Sequence, residues 1–385
     1  MAQKVNPSQK TRYARHGGQS RGNMSCGHVT EDSPRCHLHA PDRLHVFFFR
    51  ILKIHFPYAI MKEKRQGETR MKTAIWGVWH VHAPEYTRTA QKFGEVVGFY
   101  EPDDALAAAF AAQFALPRFA TAKELLASDA EGVIVCSATN THADDMVAIA
   151  NAGKHIFTEK VLALTDADCA RVQEAVKTNG VQFVISLFQK YLPSRRAVKS
   201  VCESGELGNI NYLRFRNCHS GSSNDWLPAH FYNREQCGGG AMIDLGAHGM
   251  YLAHWILGEP ITAKSAFTLC NRNPGAAAKN TDGVEDNAVT VMTYEGGAIA
   301  VNETGFVSCC SPVIFEVHGD KGYVYMEGER VIKRTQATAG KIVEVELPES
   351  LPLPIEQFVT GNVLDGCGMD EARALTRAME LAYDF

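Results

Sequence analysis

From residue 73 onward, short apolar segments alternate with segments of helical periodicity, and this alternation constrains the fold more than any other feature of the chain. We predict five strands, at 73–78, 95–101, 132–136, 154–159 and 181–186. Helices are predicted between them, at 84–93, 103–114, 141–152 and 166–178. Strands that alternate with helices in this way form a parallel sheet with helices packed on both faces. The first half of the chain is therefore predicted to be a doubly wound α/β domain.

The second half has a different pattern, in which several strands follow one another. Strands are predicted at 210–218, 261–270, 288–294, 298–306, 313–319 and 322–327, and helices at 194–204, 241–257 and 370–383. Turn sequences such as Tyr-Glu-Gly-Gly at 294–297 separate neighbouring strands, which favours antiparallel pairing. We expect an α+β domain with a large, mostly antiparallel sheet. The domain boundary is placed near Gln189, which gives a first domain at 71–189 and a second at 190–385.

The first 70 residues differ from the rest of the chain in charge. They hold 13 Lys and Arg against 5 Asp and Glu, whereas the remainder holds 26 basic and 38 acidic residues. This segment, 1–70, lacks sustained periodicity, so we expect it to be disordered or poorly packed. We also expect Met71 to be the natural start of the protein. Two alternative roles for the segment remain open, a targeting arm and a small metal-binding knot. The knot would use the cysteines and histidines of the segment, Cys26, His28, Cys36, His37 and His39.

Composition argues against several classes of protein. An acidic body argues against nucleic acid as the main partner. No apolar run reaches the length of a transmembrane helix, because Arg50 and Lys53 interrupt the most apolar stretch, at 45–60. The eleven cysteines are scattered and we see no secretory signal. We therefore expect reduced thiols, a cytoplasmic protein and no membrane partner.

Three side chains suited to proton transfer occur at informative positions. Lys160 ends an apolar strand, within the run Thr-Glu-Lys-Val at 158–161. Asp244 and His248 are four residues apart, so they are predicted to lie on one face of a helix. Histidine titrates near neutrality and can accept a hydroxyl proton while a hydride leaves the same carbon. The three residues are therefore predicted to be catalytic, in a cleft beside a nucleotide.

Both runs resemble the signature segments of the Gfo/Idh/MocA family of nicotinamide-dependent oxidoreductases. The resemblance covers residues 71–385, and its second run is Gly-Gly-Gly-Ala-Met-Ile-Asp-Leu-Gly-Ala-His at 238–248. It implies a Rossmann domain followed by a domain for substrate binding and oligomerisation. It also implies that Lys160 contacts nicotinamide and substrate, that Asp244 binds the substrate, and that His248 is the acid–base residue. A homodimer or homotetramer formed through the second sheet is expected.

The cofactor site departs from the usual Gly-x-Gly-x-x-Gly fingerprint. The turn Gly-Val-Trp-His-Val-His at 77–82 keeps only the first glycine. Glu101 ends the second strand, where an acidic residue binds the adenosine ribose, and this favours NAD over NADP. The segment Ser-Ala-Thr-Asn-Thr-His at 137–142 resembles the family segment that lines the nicotinamide ribose. The predicted cofactor-binding residues are Gly77, Trp79, His80, Glu101, Thr139, Asn140, His142, Glu159 and Lys160.

Side chains that follow the last parallel strand or precede the three glycines are candidates for substrate binding. Gln189 and Lys190 belong to the first group, and Trp226 and His230 to the second. Trp226 can stack on the face of a pyranose or cyclitol, or it can be an ordinary core tryptophan. Together with Asp244 and His248, these four residues make up the predicted substrate site.

His80 and His82 flank a single residue, a spacing compatible with a metal site that also uses His142. No carboxylate lies nearby in sequence, so the ligand set is incomplete and no metal is expected. Contact with cofactor or substrate is the preferred role for the two histidines, and helix capping is the alternative.

The chain is therefore predicted to be an oxidoreductase that transfers a hydride between NAD(H) and a hydroxyl or carbonyl carbon of a sugar, cyclitol or related polyol. The altered fingerprint leaves one alternative, a catalytically silent relative that binds a nucleotide or sugar and acts as a regulatory protein. The presence of Lys160, Asp244 and His248 favours the enzyme.

Overall fold

The computed structural model describes residues 71–384, and the expectations for residues 1–70 lie outside the described part. The described chain opens with a five-stranded, wholly parallel sheet of order β2-β1-β3-β4-β5. Each of the five predicted strands is present, and no strand end differs from its predicted position by more than two residues. The strands are β1 (Lys72–Trp76), β2 (Glu95–Tyr100), β3 (Gly132–Val135), β4 (His155–Thr158) and β5 (Phe183–Ile185).

Helices connect these strands, and polar side chains fix where several of them begin. Asp103 accepts the main-chain N–H groups of Ala105 and Leu106, and Thr165 accepts that of Asp168. The predicted helices are confirmed, and a short additional helix, α3, precedes β3. The helices are α1 (Ala83–Phe93), α2 (Asp104–Phe114), α3 (Ala122–Ala127), α4 (His142–Asn151) and α5 (Asp166–Asn179).

An eight-stranded sheet dominates the second half. Its order is β13-β12-β11-β10-β6-β9-β8-β7, and every pair is antiparallel except β6 with β9. The fold class is confirmed, although β12 and β13 were not predicted. The strands are β6 (Ile210–Cys218), β7 (Thr262–Thr268), β8 (Asn287–Thr293), β9 (Ile299–Gly305), β10 (Ile314–Gly319), β11 (Gly322–Glu327), β12 (Arg330–Thr335) and β13 (Val343–Glu344).

The helices of the second half include several short ones that the sequence did not predict. The predicted helix at 241–257 is divided into a π-helical turn, Met242–Gly246, and the α-helix α8. The helices are α6 (Pro193–Glu203), α7 (Arg234–Cys237), α8 (Ala247–Leu257), α9 (Pro274–Lys279), α10 (Pro354–Thr360) and α11 (Met369–Tyr383). No helix in the described part combines the length and apolar character that crossing a bilayer requires.

The inner face of the eight-stranded sheet packs against the π-helical turn and α8. Leu213 and Phe215 of β6 are buried on this face. Asn302 of β9 donates a hydrogen bond to the main-chain oxygen of Gly246 at 2.7 Å. The sheet thus supports the helical segment that carries Asp244 and His248.

The chain returns to the first sheet after β13. α10 packs against α1, and the Phe358 ring lies 5.8 Å from that of Phe157 in β4. The main-chain N–H of Ile185 in β5 donates to the oxygen of Cys367 at 2.9 Å. The prediction that residues 190–385 form a separate second domain did not anticipate this return, because no local pattern shows which sheet a late helix covers.

Candidate active site

The carboxyl ends of β1, β3 and β4 open onto a small cleft with a cavity volume of about 30 Å³. Ligands of open α/β sheets bind at this edge, where the strand order reverses, here between β1 and β3. Five predicted site residues line the cleft together, although their roles remain predictions. The lining consists of Trp79, His80, Thr139, Lys160, Val161, Phe231, Cys237, Gly239, Gly240, Ile243 and Asp244.

The turn after β1 retains the tight geometry of a dinucleotide fingerprint at its first position. Gly77 has a φ of +74°, and a Cβ atom there would lie 2.6 Å from Cα of Ser137. Only glycine fits both the conformation and the space. The main-chain N–H of His80 donates to the oxygen of Cys136 at 3.0 Å, so the turn is also held against the end of β3.

Trp79 occupies the place of the second fingerprint glycine and reaches toward the second half of the chain. Its Nε1 donates to Oε1 of Gln236 at 2.9 Å, and its ring stacks on Phe231 at 5.7 Å and 10°. The His230 ring lies 4.6 Å away. The Nε2 atom of His230 is buried and has no hydrogen-bond partner among the described residues. Trp79 therefore forms one wall of the cleft where a glycine would leave it open.

Glu159 joins the fingerprint turn to the segment that carries Lys160. The glutamate is 1% exposed. Its Oε1 lies 2.6 Å from Nδ1 of His82 and accepts the hydroxyl of Tyr86, while its Oε2 accepts the main-chain N–H of Lys160 at 3.0 Å. Nδ1 of His80 is 3.8 Å from Oε1. The fold thus brings a carboxylate to the two histidines, which the sequence spacing did not reveal.

Burial and charge set the protonation of this cluster. Burial lowers the pKa of His80 to about 3, so this imidazole is neutral at pH 7. Burial also disfavours the charged form of His82, but the attraction of Glu159 outweighs it and raises the His82 pKa. Burial alone would raise the pKa of Glu159; the surrounding histidines and Lys160 instead hold it well below its usual range. The carboxylate is therefore ionised at neutral pH.

Lys160 and Asp244 form a buried ion pair between the two halves of the chain. Nζ of Lys160 lies 2.8 Å from Oδ1 and 2.8 Å from the main-chain oxygen of Asp244. The two side chains are 2% and 19% exposed. Burial opposes the charge of Asp244, but Lys160 outweighs burial and lowers the Asp244 pKa to about 2. The peptide bond between Lys160 and Val161 is cis.

His248 is buried at the start of α8, at 4% exposure. Its Nδ1 lies 2.9 Å from the hydroxyl of Tyr251, and that hydroxyl also accepts the main-chain N–H of Gln189 at 3.2 Å. Burial lowers the His248 pKa to about 3, and the charge of Lys160 lowers it further. The imidazole is therefore neutral at physiological pH, which is the form that can accept a proton.

The structure places Gln189 and Lys190 away from the cleft lining. Oε1 of Gln189 accepts Nε–H of Arg195 at 2.8 Å, and Nζ of Lys190 donates to the main-chain oxygen of Gly366 at 2.7 Å. Both residues lie in a short 3₁₀ turn after β5, which turns their side chains into contacts with α6 and the C-terminal segment. The predicted substrate contacts of these two side chains have no geometric support.

Two of the predicted cofactor residues take other positions. His142 is buried, and its ring nitrogens contact the main-chain oxygens of Ser137, Val161 and Leu162 at 3.0–3.2 Å. His142 therefore stabilises the main chain at Val161 and Leu162, directly after Lys160. Asn140 is exposed.

The three glycines before Asp244 are required by contacts within the protein. A Cβ atom at Gly239 would lie 2.2 Å from the hydroxyl of Tyr383, and one at Gly240 would lie 2.0 Å from the main-chain oxygen of Glu285. Glu285 also accepts the N–H groups of Gly240 and Met242 on Oε1, at 2.9 and 3.1 Å. Close packing around this carboxylate explains the glycines.

His219 is a candidate that the sequence reasoning missed. It follows β6, its ring stacks on Phe306 at 5.0 Å, and Trp226 lies 4.6 Å away. Its Nδ1 accepts the main-chain N–H of Gly221 at 3.0 Å. Burial lowers its pKa to about 4, opposed by the charge of Asp244. A neutral imidazole thus lies near the aspartate of the cleft, beside the predicted Trp226.

A parallel sheet with a lysine, an aspartate and histidines gathered at its carboxyl edge defines a dinucleotide-dependent oxidoreductase architecture. A family described as oxidoreductases with an NAD-binding Rossmann fold matches residues 71–187, and the GFO/IDH/MocA C-terminal domain matches residues 195–325. The chain belongs to the Gfo/Idh/MocA family.

Several relatives of the chain are named as sugar or cyclitol oxidoreductases. Myo-inositol 2-dehydrogenase of Thermotoga maritima is 30% identical over 204 residues, 52% of this chain and 57% of that protein. The 1,5-anhydro-D-fructose reductase of Ensifer adhaerens is 25% identical over 291 residues, 72% of this chain and 83% of that protein. An oxidoreductase of Bacillus subtilis is matched over 48% of its length. The chain thus spans about half the length of several relatives that it matches.

Solved structures share the fold at lower identity. The aldose-aldose oxidoreductase of Caulobacter crescentus superposes with a TM-score of 0.67 at 19% identity, covering 82% of this chain and 97% of that one. A levoglucosan dehydrogenase in complex with NADH gives a TM-score of 0.68 at 18% identity, covering 82% and 96%. These likenesses establish the architecture of both sheets.

Proposed function

We propose that this protein transfers a hydride between NAD(H) and a hydroxyl or carbonyl carbon of a sugar, cyclitol or related polyol. The observation that carries the proposal is the buried ion pair of Lys160 with Asp244, which lines a cleft at the reversal point of a parallel sheet. A desolvated ammonium group in such a cleft is suited to stabilise charge that develops on a reacting oxygen.

The residues present fit a dinucleotide. The Gly77 turn has no room for a Cβ atom and leads into α1, whose N-terminus favours a phosphate. Thr139 follows β3 and lines the same cleft. When bound, the nicotinamide ring of NAD supplies the acceptor or donor of the hydride.

Lys160 and Asp244, which line the cleft, and His248, which lies outside the lining, have separate roles in the proposed reaction. Oδ2 of Asp244 has no hydrogen-bond partner among the described residues, so it can accept a substrate hydroxyl while Oδ1 holds Lys160. Lys160 donates to the reacting oxygen and stabilises its negative charge. His248 accepts the hydroxyl proton on Nε2, provided that its Nδ1–H donates to the Tyr251 oxygen.

Cofactor binding and turnover test the proposal directly. The full chain should quench or shift NADH fluorescence on binding, and it should reduce NAD⁺ with at least one member of a panel of inositols, aldoses and anhydrosugars. The relatives named above motivate this panel. Failure to bind NADH would contradict the proposal.

The second candidate is a relative that binds a nucleotide or sugar and acts through regulation. The observation that favours it is Trp79, which fills the place of the second fingerprint glycine and stacks on Phe231. Tight NADH binding without turnover on any member of the panel would support this candidate over the enzyme.

Glu101 is proposed to set the preference for NADH over NADPH. It is 4% exposed at the end of β2, and its oxygens accept the main-chain N–H groups of Val78 and Asp103 at 2.8 and 2.9 Å. A carboxylate there repels a 2′-phosphate and accepts ribose hydroxyls. A charge-assisted hydrogen bond contributes about 1.5–3 kcal/mol, so NADH should bind about ten- to hundredfold more tightly.

Fluorescence titration of the two cofactors checks this preference. Glu101→Gln should reduce the difference in affinity between NADH and NADPH. Glu95 is an exposed glutamate at the start of the same strand, and Glu95→Gln should leave this difference unchanged. Equal affinity of the unmodified protein for NADH and NADPH would rule out the role of Glu101.

Self-association is proposed through the outer face of the eight-stranded sheet. Val289, Val291 and Ile299 are 37–41% exposed there, and Arg214 pairs with Glu303 on the same face at 2.5 Å. Light scattering should show a dimer or tetramer. Val291→Lys should shift the association equilibrium toward the monomer. Val343→Lys, at the opposite edge of the sheet, is the control. A monomeric unmodified protein would exclude the assembly.

The nine cysteines of the described residues are all free thiols. This state is consistent with the proposed cytoplasmic location, since that compartment keeps thiols reduced.

A further inference from the structure

One group of potential metal ligands converges in the part of the chain that the structure describes. It consists of one ring nitrogen each of His80 and His82 and a carboxylate oxygen of Glu159, all within 4.8 Å of one another. Oε1 of Glu159 lies 2.6 Å from the His82 nitrogen and 3.8 Å from the His80 nitrogen. The histidines come from the turn before α1 and the glutamate from the end of β4.

These separations suit a small divalent ion. Bonds of about 2.0–2.2 Å in a tetrahedral site place ligand atoms roughly 3.3–3.6 Å apart, and the two observed separations lie on either side of this range. Two imidazoles and one carboxylate are ligands that zinc, iron, cobalt and manganese accept. The two histidine nitrogens lie within 4.8 Å of each other, so the side chains must move closer together to reach tetrahedral geometry.

The carboxylate is already held by other groups, as ligands of metal sites usually are. The Tyr86 hydroxyl donates to Oε1 of Glu159 and lies 2.8 Å from the Ser186 hydroxyl, while the main-chain N–H of Lys160 donates to Oε2. Glu159 and His80 are 1% and 7% exposed. Two imidazoles lie beside one carboxylate oxygen. Nδ1 of His80 accepts the main-chain N–H of His82 at 3.2 Å, and an ion bound at this nitrogen would replace that contact.

We propose that His80, His82 and Glu159 bind a divalent transition-metal ion. Three protein ligands leave at least one position open, and His80 lines the cleft, so that position can take water or an oxygen of a bound molecule. This site is separate from the hydride transfer proposed above, because its ligands do not include Lys160, Asp244 or His248.

Metal content of the full chain, measured without any cofactor, tests the proposal. After incubation with Zn²⁺ or Co²⁺ and gel filtration, the unmodified protein should retain one more ion per chain than His82→Asn or Glu159→Gln. Because all the proteins compared contain residues 1–70, the contribution of any ion bound there cancels in the comparison. His318→Ala, on β10 of the other sheet, is the control and should retain the full content. Variants that keep the same metal content would overturn the proposal.

Two further measurements keep the test decisive if a ligand variant fails to fold. Tyr86→Phe removes the hydroxyl that fixes Glu159 and should weaken metal affinity about 10- to 100-fold; unchanged affinity would count against the site. The Co²⁺ absorption spectrum of the unmodified protein should show nitrogen and oxygen ligands alone. A thiolate charge-transfer band would place the ion at cysteines and overturn the assignment.

Discussion

Replacing Lys160 by methionine is expected to lower kcat about 100- to 1,000-fold, the usual cost of losing one group that stabilises charge in the transition state. The ammonium group is buried, at 2% side-chain exposure, and is held by two oxygens of Asp244 at 2.8 Å. In such a desolvated place its charge acts on a reacting oxygen far more strongly than in water. Steady-state kinetics on the substrate found in the panel, with NADH affinity measured in parallel, separate chemistry from cofactor binding.

The same substitution is expected to destabilise the fold. Removing one partner of a buried ion pair leaves the other charge unpaired and costs about 3–5 kcal/mol. The double variant Lys160→Met, Asp244→Leu should recover most of the free energy of unfolding in urea but no activity. This combination distinguishes a loss of folding from a loss of chemistry.

Lys154→Met is the matched control for both effects. Lys154 is also buried, at 7% exposure, but it lies at the opposite edge of the sheet, where its ammonium donates to the main-chain oxygens of Ser128 and Ala130. Its replacement should reduce stability and leave kcat unchanged. A Lys160→Met protein with normal kcat would remove the lysine from the mechanism.

The parallel sheet and the position of Lys160 at its carboxyl edge followed from local patterns. Strand and helix periodicity is a property of short segments, so β1 to β5 could be placed from the sequence alone. The carboxyl ends of neighbouring parallel strands necessarily meet at one edge, which located Lys160 correctly. Its contact with Asp244 at 2.8 Å agrees with the convergence that the two signature runs implied.

The contacts that the sequence did not give are those between distant segments. Glu159 lies 77 positions from His82, and no local rule places its carboxylate beside the fingerprint turn. Tyr251, three residues after His248, could have been noticed from helical spacing, since residues three apart are neighbours on a helix. His219 follows a strand and carries no motif, so only the folded sheet shows its approach to Asp244.

The side chains of Gln189 and Lys190 show why position after a strand is not sufficient. Both follow β5 as predicted, but the 3₁₀ turn Phe188–Tyr191 points them toward Arg195 and Gly366. The direction of a side chain in such a turn depends on its dihedral angles and on packing partners. Sequence spacing gives neither.

His248→Ala is expected to reduce kcat about 10²- to 10⁴-fold, the usual contribution of general acid–base assistance, with little change in NADH affinity. The imidazole is 4% exposed and its Nδ1 is fixed by the Tyr251 hydroxyl. Tyr251→Phe removes that contact and should cause a smaller loss. His254→Ala, six residues further along the same helix α8, is the control and should keep kcat.

The pH profile gives a second, independent test of His248. Because burial lowers its pKa to about 3, the histidine stays neutral and able to accept a proton from pH 8 down to pH 5. A base with the ordinary pKa of histidine, about 6.5, would instead cause the oxidation rate to fall as the pH decreases below that value. We now expect kcat/KM for oxidation to show no inflection from this residue above about pH 4.

The stability of the folded protein sets the lowest pH at which the rates can be compared. His80, His219, His230 and His248 all have lowered pKa values in the folded state, chiefly through burial. Below pH 6.5 the unfolded chain therefore binds more protons than the folded chain, and stability falls as the pH decreases. Rates should be compared only where circular dichroism shows a folded protein. An inflection near pH 6.5 in the unmodified enzyme that disappears in His248→Ala would show that the histidine titrates normally and would refute the buried, neutral base.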